Sequence, residues 1–348
     1  MPPAPRDPDQ SDAQDPAHAA VATYAAAHDD LVLAGAEAVE LVITLLDEAG
    51  INYLTVSGRT KSVASFAEKA VRSVDGVRLY DEPLREIGDQ LGVRVITYVR
   101  DDVDAVADLL ADQVVVNDDR DLGRETASEG RFGYASRHLQ IALDAARVGQ
   151  PAYAHLAGRN VQVQIRTVLQ HAWAEFEHDI RYKGKIPEAL APDLNRRFTL
   201  AAGLLELADR EFEVIRDRMR ERMAEGAPVA DTDDPRIGNQ ELAAFLAGHY
   251  PDAGWSRTDH YSWISGLLLE LGITSLRELA GLLPAVDSAA ITNRMGYKYP
   301  PGAVRRLDDA LLAQFGTRYL ELHGNADRVE LLRARLEKLR RDGAGPIG

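Results

Sequence analysis

The segment VQVQIRT (161–167) alternates apolar and polar residues without a break. In an extended strand this places Val161, Val163 and Ile165 on one face and Gln162, Gln164 and Arg166 on the other. One face must then be covered by core and the other must meet something polar, so the chain has to build a sheet with a wet side. YASRHLQIAL (134–143) repeats the pattern, with Tyr134, Ser136, His138 and Gln140 on one face. VRVITYV (93–99) is nearly all apolar, as a central strand is, and INYLTV (51–56) and QVVV (113–116) are short strand candidates.

Helical spacing surrounds these strands. Alanine and leucine recur from Ala19 to Ala49 as one long helix or two shorter ones, with Gly50 at the C-cap position. Further helices are expected over 62–74, 102–113, 168–180 and 187–223. Residues 117–132 are charged, contain glycine and show no periodicity, which reads as a functional or mobile loop. The order predicts an α+β fold, a mixed β-sheet flanked by helices, followed by a mostly helical C-terminal module. The expected boundaries are a disordered tail over 1–18, a first domain over 19–224, a linker over 225–236 and the module over 237–348. The leucines of VELLRARLEKLRRD (329–342) suit either a packed terminal helix or a seam between copies in a homo-oligomer.

Composition removes several classes of function. The 348 residues include no cysteine, which excludes disulfide scaffolds, thiolate zinc sites, iron–sulfur clusters and a cysteine nucleophile. The N-terminal stretch lacks the basic and apolar regions of a signal peptide, and no run of about 18 apolar residues occurs, so a cytoplasmic protein without a membrane span is expected. A formal charge of −15 excludes a general electrostatic grip on duplex nucleic acid. Any phosphate ligand must be held by a local basic pocket.

Two segments supply such cations. GRTKS (58–62) sets Arg59 and Lys61 just ahead of a helix start, where free amides and cations together favour a polyphosphate. Asp89, in DQLGVRV, precedes a buried strand, a position suited to Mg²⁺ shared with substrate phosphates. Arg94, five residues on, requires an anionic or stacking partner. HAWAEFEHDIRYKG (171–184) crowds His171, Glu175, Glu177, His178 and Asp179 onto about two turns. His171, Glu175 and His178 share a helix face that has transition-metal spacing, but a polar network supporting a site suits them better.

RTKSVAS (59–65), DQLGVRV (89–95), GYASRH (133–138) and VQVQIRTVLQHAWAEFEHDIRYK (161–183) together resemble the synthetase domain of the RelA/SpoT family over roughly residues 25–225. The chain is most similar to the small alarmone synthetases, since no histidine–aspartate hydrolase domain accompanies it. The resemblance implies a nucleotidyltransferase-like fold and pyrophosphate transfer from ATP to the ribose 3′-hydroxyl of GDP or GTP, giving the stringent-response alarmone (p)ppGpp. It implies ATP contacts at Arg59, Lys61, Ser65 and Arg94, and Mg²⁺ on Asp89. It further implies an acceptor pocket of Tyr134, His138, Gln164, Arg166 and His171, with Gln162 and Glu177 in catalytic positions.

Two departures stand out. Gln162 occupies the place of the family's glutamate, and an amide accepts no proton near pH 7. Phe132 replaces the usual asparagine before Gly133–Tyr134, and the preceding loop offers Arg120, Arg124 and Arg131 in place of a lysine-rich run. They leave open a catalytically impaired nucleotide-binding regulator, or a toxin-like relative that modifies adenine nucleotides or the tRNA 3′ end.

Overall fold

A computed structural model describes residues 16–128, 136–183, 190–225, 235–254, 256–297 and 301–340. The first half runs α1 (Pro16–Ala26), α2 (His28–Ala49), β1 (Thr55–Thr60), α3 (Val63–Ala70), β2 (Ser73–Val74), β3 (Val77–Arg78), α4 (Pro83–Glu86), β4 (Leu91–Thr97), α5 (Arg100–Gln113), β5 (Val115–Asp121), α6 (Leu122–Ser128), β6 (Arg137–Ala142), β7 (Val161–Thr167), α7 (Val168–Lys183) and α8 (Ala191–Glu225). The helical continuation is α9 (Asn239–His249), α10 (Thr258–Glu270), α11 (Leu276–Leu282), α12 (Ser288–Met295), α13 (Ala303–Phe315), α14 (Thr317–Leu320) and α15 (Val329–Arg340). The α+β expectation with a helical C-terminal region holds. Among the described residues no helix is long and apolar enough to cross a membrane.

Five strands form one sheet in the order β1-β4-β7-β6-β5. β4 and β7 run parallel, and the other neighbours pair antiparallel. Alternation works as VQVQIRT demanded: Leu91, Val93, Val95, Leu139, Ile141, Val161, Val163 and Ile165 are all buried in the core. The α2 helix covers this apolar face closely at β1. A Cβ on Gly35 would come 2.6 Å from Thr60 Oγ1, and one on Gly58 would come 2.5 Å from Val39 Cγ2.

Several local expectations are corrected. Residues 16–18, expected in a tail, lie in helix α1, which begins at Pro16, and residues 1–15 lie outside the described residues; proline is tolerated in a first helical turn, where its missing N–H has no intrahelical partner. The strand expected at 51–56 lies at Thr55–Thr60, which puts Arg59 inside β1. The helix expected over 62–74 ends at Ala70, because Asp75 (φ 51°) and Gly76 (φ 79°) turn the chain back into the β2–β3 hairpin. Residues 117–128, expected as loop, are the end of β5 and all of α6. Their charges are tolerated because β5 is an edge strand with an exposed side. The strand expected from Tyr134 begins at Arg137, with Tyr134 itself outside the described residues.

The chain divides into two compact units. The first takes the chain up to Thr44, Leu54–Thr97 and Gln113–Glu206; the second takes Leu45–Tyr53, Tyr98–Asp112 and the chain from Leu207. The segment 19–224 therefore contributes to both. The core of the second unit gathers Leu242, Ile264, Leu268, Leu279, Leu307 and Leu311 with Leu332, Leu336 and Leu339. Those last three are buried, so α15 packs on this core through Leu332, Leu336 and Leu339. Trp263 and Tyr297 pack against this core, whereas Trp255, Lys298 and Tyr299 lie outside the described residues.

Candidate active site

The polar face of the sheet is organised in rows. In one row Arg59 pairs with Gly92, Gly92 with Gln162, Gln162 with Gln140 and Gln140 with Asp118. In the next, Ser57 pairs with Arg94, Arg94 with Gln164, Gln164 with His138 and His138 with Arg120. Beyond it, Arg166 Nε donates to Ser136 Oγ at 3.1 Å and Arg166 Nη2 to Gln164 Oε1 at 3.0 Å. Strand register alone thus brings together residues from five segments spread over more than a hundred positions.

Helix α7 follows β7 directly and turns back over this floor. Arg94 Nη1 lies 2.9 Å from Glu175 Oε1, which is itself 3.7 Å from His171 Nδ1. That Nδ1 is buried and makes no hydrogen bond among the described residues. Burial lowers the His171 pKa and the charges of Arg94 and Arg166 add to this, with Glu175 opposing them. His138 is lowered by burial and by Arg120. Burial, with Arg94 close by, brings even the Arg166 guanidinium down to about 10. Both imidazoles are thus shifted towards their neutral form. Glu177 sits six residues past His171, about 120° around the helix axis at 3.6 residues per turn, away from this group.

At the other end of the floor stands Asp89. Its Oδ2 is 3.0 Å from Lys61 Nζ and its Oδ1 is 3.0 Å from Lys69 Nζ. Burial alone would raise the Asp89 pKa, but hydrogen bonds from the two lysines outweigh it and hold it below the usual range. Lys61 is nearly buried and its backbone is pinned. Its N–H donates to Gln90 O (2.8 Å), and its carbonyl accepts from Tyr24 Oη (2.7 Å) and lies 3.3 Å from His28 Nε2. Tyr24 stacks on Phe66 at 4.0 Å, which ties this loop to α3. The preceding residue lies against the floor, since a Cβ on Gly88 would come 2.4 Å from Gln140 Nε2. A cleft of about 330 Å³ opens beside the loop, lined by Leu31, Arg85, Gln90, Leu91, Arg159 and Asn160 among others.

The structure thus collects Arg59, Arg94, Gln162, Gln164, Arg166, His138 and His171 on or over one surface, with Lys61 and Asp89 at its margin. Ser65 lies in the first turn of α3, where its N–H donates to the capping Ser62 Oγ at 3.2 Å. Arg59 is exposed and makes no ion pair among the described residues, leaving its guanidinium available. Arg120 is engaged by Glu125 at 2.8 Å and Arg124 by Asp121 at 3.0 Å, while Arg131 and Phe132 lie outside the described residues. Sequence reasoning placed Gln140 on the polar face but missed Lys69 and the Arg94–Glu175 pair. For Lys69 the available signal was its i+4 relation to Ser65 on a short helix that begins beside Lys61.

A hard oxygen donor set suits Mg²⁺, which takes one or two carboxylates plus phosphate oxygens. Asp89 supplies one carboxylate, and Gln162 and Gln140 supply only amide oxygens. Among the described residues no group of three or more His, Cys, Asp or Glu side chains forms a metal cage. The arrangement fits a metal shared with a ligand's phosphates, not one held by protein alone.

The site is a polar sheet face rimmed by arginine and lysine, with the Asp89 carboxylate at its margin and Glu175 over it. Residues 58–186 match the family model described as a region found in RelA / SpoT proteins. GTP pyrophosphokinase YjbM of Bacillus subtilis (strain 168) is 32% identical over 185 residues, covering 51% of this chain and 78% of that protein. Among solved structures, small alarmone synthetase 1 from Bacillus subtilis is 27% identical, covering 56% of this chain and 97% of that one, with a TM-score of 0.42. A GTP pyrophosphokinase family protein from Streptococcus pneumoniae is 25% identical, covering 57% and 96%, with a TM-score of 0.45. The chain belongs to the RelA/SpoT family.

Proposed function

We propose that the chain transfers a pyrophosphoryl group from ATP to the ribose 3′-hydroxyl of GDP or GTP, making (p)ppGpp. The observation that carries this reading is the assembly of Arg59, Lys61 and Asp89 at one end of a polar floor whose other end holds Arg94, Gln164, Arg166, His138 and His171. The relative YjbM is a GTP pyrophosphokinase. In the reaction the 3′-oxygen attacks the β-phosphorus of ATP, the bond from that phosphorus to the α,β-bridging oxygen breaks, AMP leaves and the hydroxyl proton is lost. Such a transfer needs in-line positioning and charge neutralisation more than covalent help from the protein.

On this reading Arg59, Lys61, Ser65 and Arg94 hold ATP. Tyr134 stacks on the acceptor base, and His138, Gln164, Arg166 and His171 line the acceptor pocket. Asp89 with Gln162 would hold Mg²⁺, which supplies charge neutralisation at the transferring phosphates. Gln162 cannot accept the hydroxyl proton near neutral pH, so the proton goes to water or to Glu175, the carboxylate beside Arg94. The register of Gln162 against Gln140 favours a second reading, a nucleotide-binding regulator with little turnover, because two neutral amides meet where a carboxylate would be needed.

Labelled ATP incubated with Mg²⁺ and GDP, GTP or deacylated tRNA, followed by chromatography, separates the readings. AMP together with a 3′-diphosphorylated guanosine is the expected result. Tight nucleotide binding without turnover supports the regulator, and product on tRNA alone moves the acceptor to RNA. If the chain is inactive and Gln162→Glu leaves it so, the amide is not the cause.

A further inference from the structure

Both carboxylate oxygens of Asp89 are engaged, each with its own ammonium at 3.0 Å. The two lysines are not equivalent. The Lys61 side chain is 9% exposed and its backbone is held by the contacts to Gln90 and Tyr24, so its ammonium has little freedom to move. Lys69 projects from α3, its side chain is 25% exposed, and its ammonium lies over the Tyr80 ring, 5.9 Å from the ring centre. A lysine on a flexible four-carbon stem can turn to a new anion at small cost.

We infer that Lys69 is an exchangeable counter-ion on Asp89, and this rests on the donor-side reading given above. In the nucleotide-free protein the Lys69 ammonium holds the Oδ1 position that a divalent cation needs. When a nucleoside triphosphate arrives, the ammonium passes to its phosphates and the carboxylate oxygen is released to the metal. Without nucleotide, a dication approaching Asp89 meets two ammonium charges against one carboxylate and is repelled. The triphosphate reverses that local balance, so metal and nucleotide must each tighten the other by the same factor.

The test uses the full-length chain and Mn²⁺, whose free form gives an electron paramagnetic resonance signal that falls on binding. Titrations are run with and without a non-hydrolysable ATP analogue, on the unaltered chain, on Lys69→Gln and on the charge-retaining Lys69→Arg, after melting curves show all three folded. In the unaltered chain the analogue tightens Mn²⁺ by about fivefold or more, within the usual span of coupling between sites. Lys69→Gln binds Mn²⁺ alone several-fold more tightly and loses most of the coupling, while Lys69→Arg keeps both properties of the parent. If Lys69→Gln binds Mn²⁺ alone no better than the parent while the analogue still binds, the exchange is overturned and the donor-side reading stands. If the analogue binds none of the three chains with Mn²⁺ present, the donor-side reading falls and the exchange with it.

Discussion

Arg94 lies near enough to Arg166 on one sheet face to disfavour the Arg166 charge, and Glu175 offsets this. The same carboxylate raises His171 against the burial and arginine charges that lower it. Glu175→Gln should therefore drop the His171 pKa further, observable as a shift of its imidazole titration by NMR; an unchanged titration would show that the pair is not sensed at the ring. Crowding of acidic residues at 175–179 was visible from sequence, but which of them faces Arg94 was not. Glu175 and Glu177 differ by two positions, and only the exit angle of α7 from β7 chooses between them. Lys69 stayed hidden for a related reason: its partner lies twenty residues away across a hairpin, and no periodic pattern links the two.

At the scale of elements, the seating of α2 on β1 governs where Arg59 can be. Gly35 and Gly58 let helix and strand approach more closely than any side chain allows, with 2.5 Å between a Cβ at 58 and Val39 Cγ2. Gly58→Ala should cost about 1–3 kcal/mol through overpacking, read as a lower urea midpoint at unchanged slope. A variant as stable as the parent would mean that α2 yields easily there. Glu37 on the same helix accepts from His155 N (3.0 Å) and Leu156 N (3.2 Å), so α2 also anchors the turn that leads into β7. The strand pattern of 161–167 was legible to the residue because period two is local. The ends of β1 and β5 were not, because backbone partners on β4 and β6 set them.

Considered as a whole, the molecule contains a charged core that its sequence concealed. Asp308, Asp309, Arg305 and Arg335 are almost fully buried in the second unit, with Tyr319 Oη donating to Asp308 Oδ1 at 2.6 Å. Arg335 Nη1 is 2.7 Å from Asp308 Oδ2, and Arg335 also pairs with Asp309. Burial alone would raise the Asp308 pKa, but Arg335 and Arg328 outweigh it and hold it below the carboxylate range. Because its folded pKa is depressed, Asp308 contributes stability above the ordinary carboxylate pKa and loses it as pH falls towards the folded value. Arg335→Met removes the buried cation shared by Asp308 and Asp309, leaving Arg328 on the first and Arg305 on the second, and should cost about 3 kcal/mol, measured by denaturant melts at neutral pH. A cost below 1 kcal/mol would show that the cluster relaxes without it.

Alternating residues in β7 and β6 were enough to determine that this chain builds a sheet with one apolar and one polar face, and motif order was enough to suggest its family, since both are written in short, contiguous stretches. Tertiary structure alone decided that Lys61 and Lys69 share Asp89, that Glu175 meets Arg94, and that each compact unit draws on separated parts of the chain. Those outcomes depend on where distant backbones come to rest, and charge attraction carries no signature in the spacing of residues along a sequence.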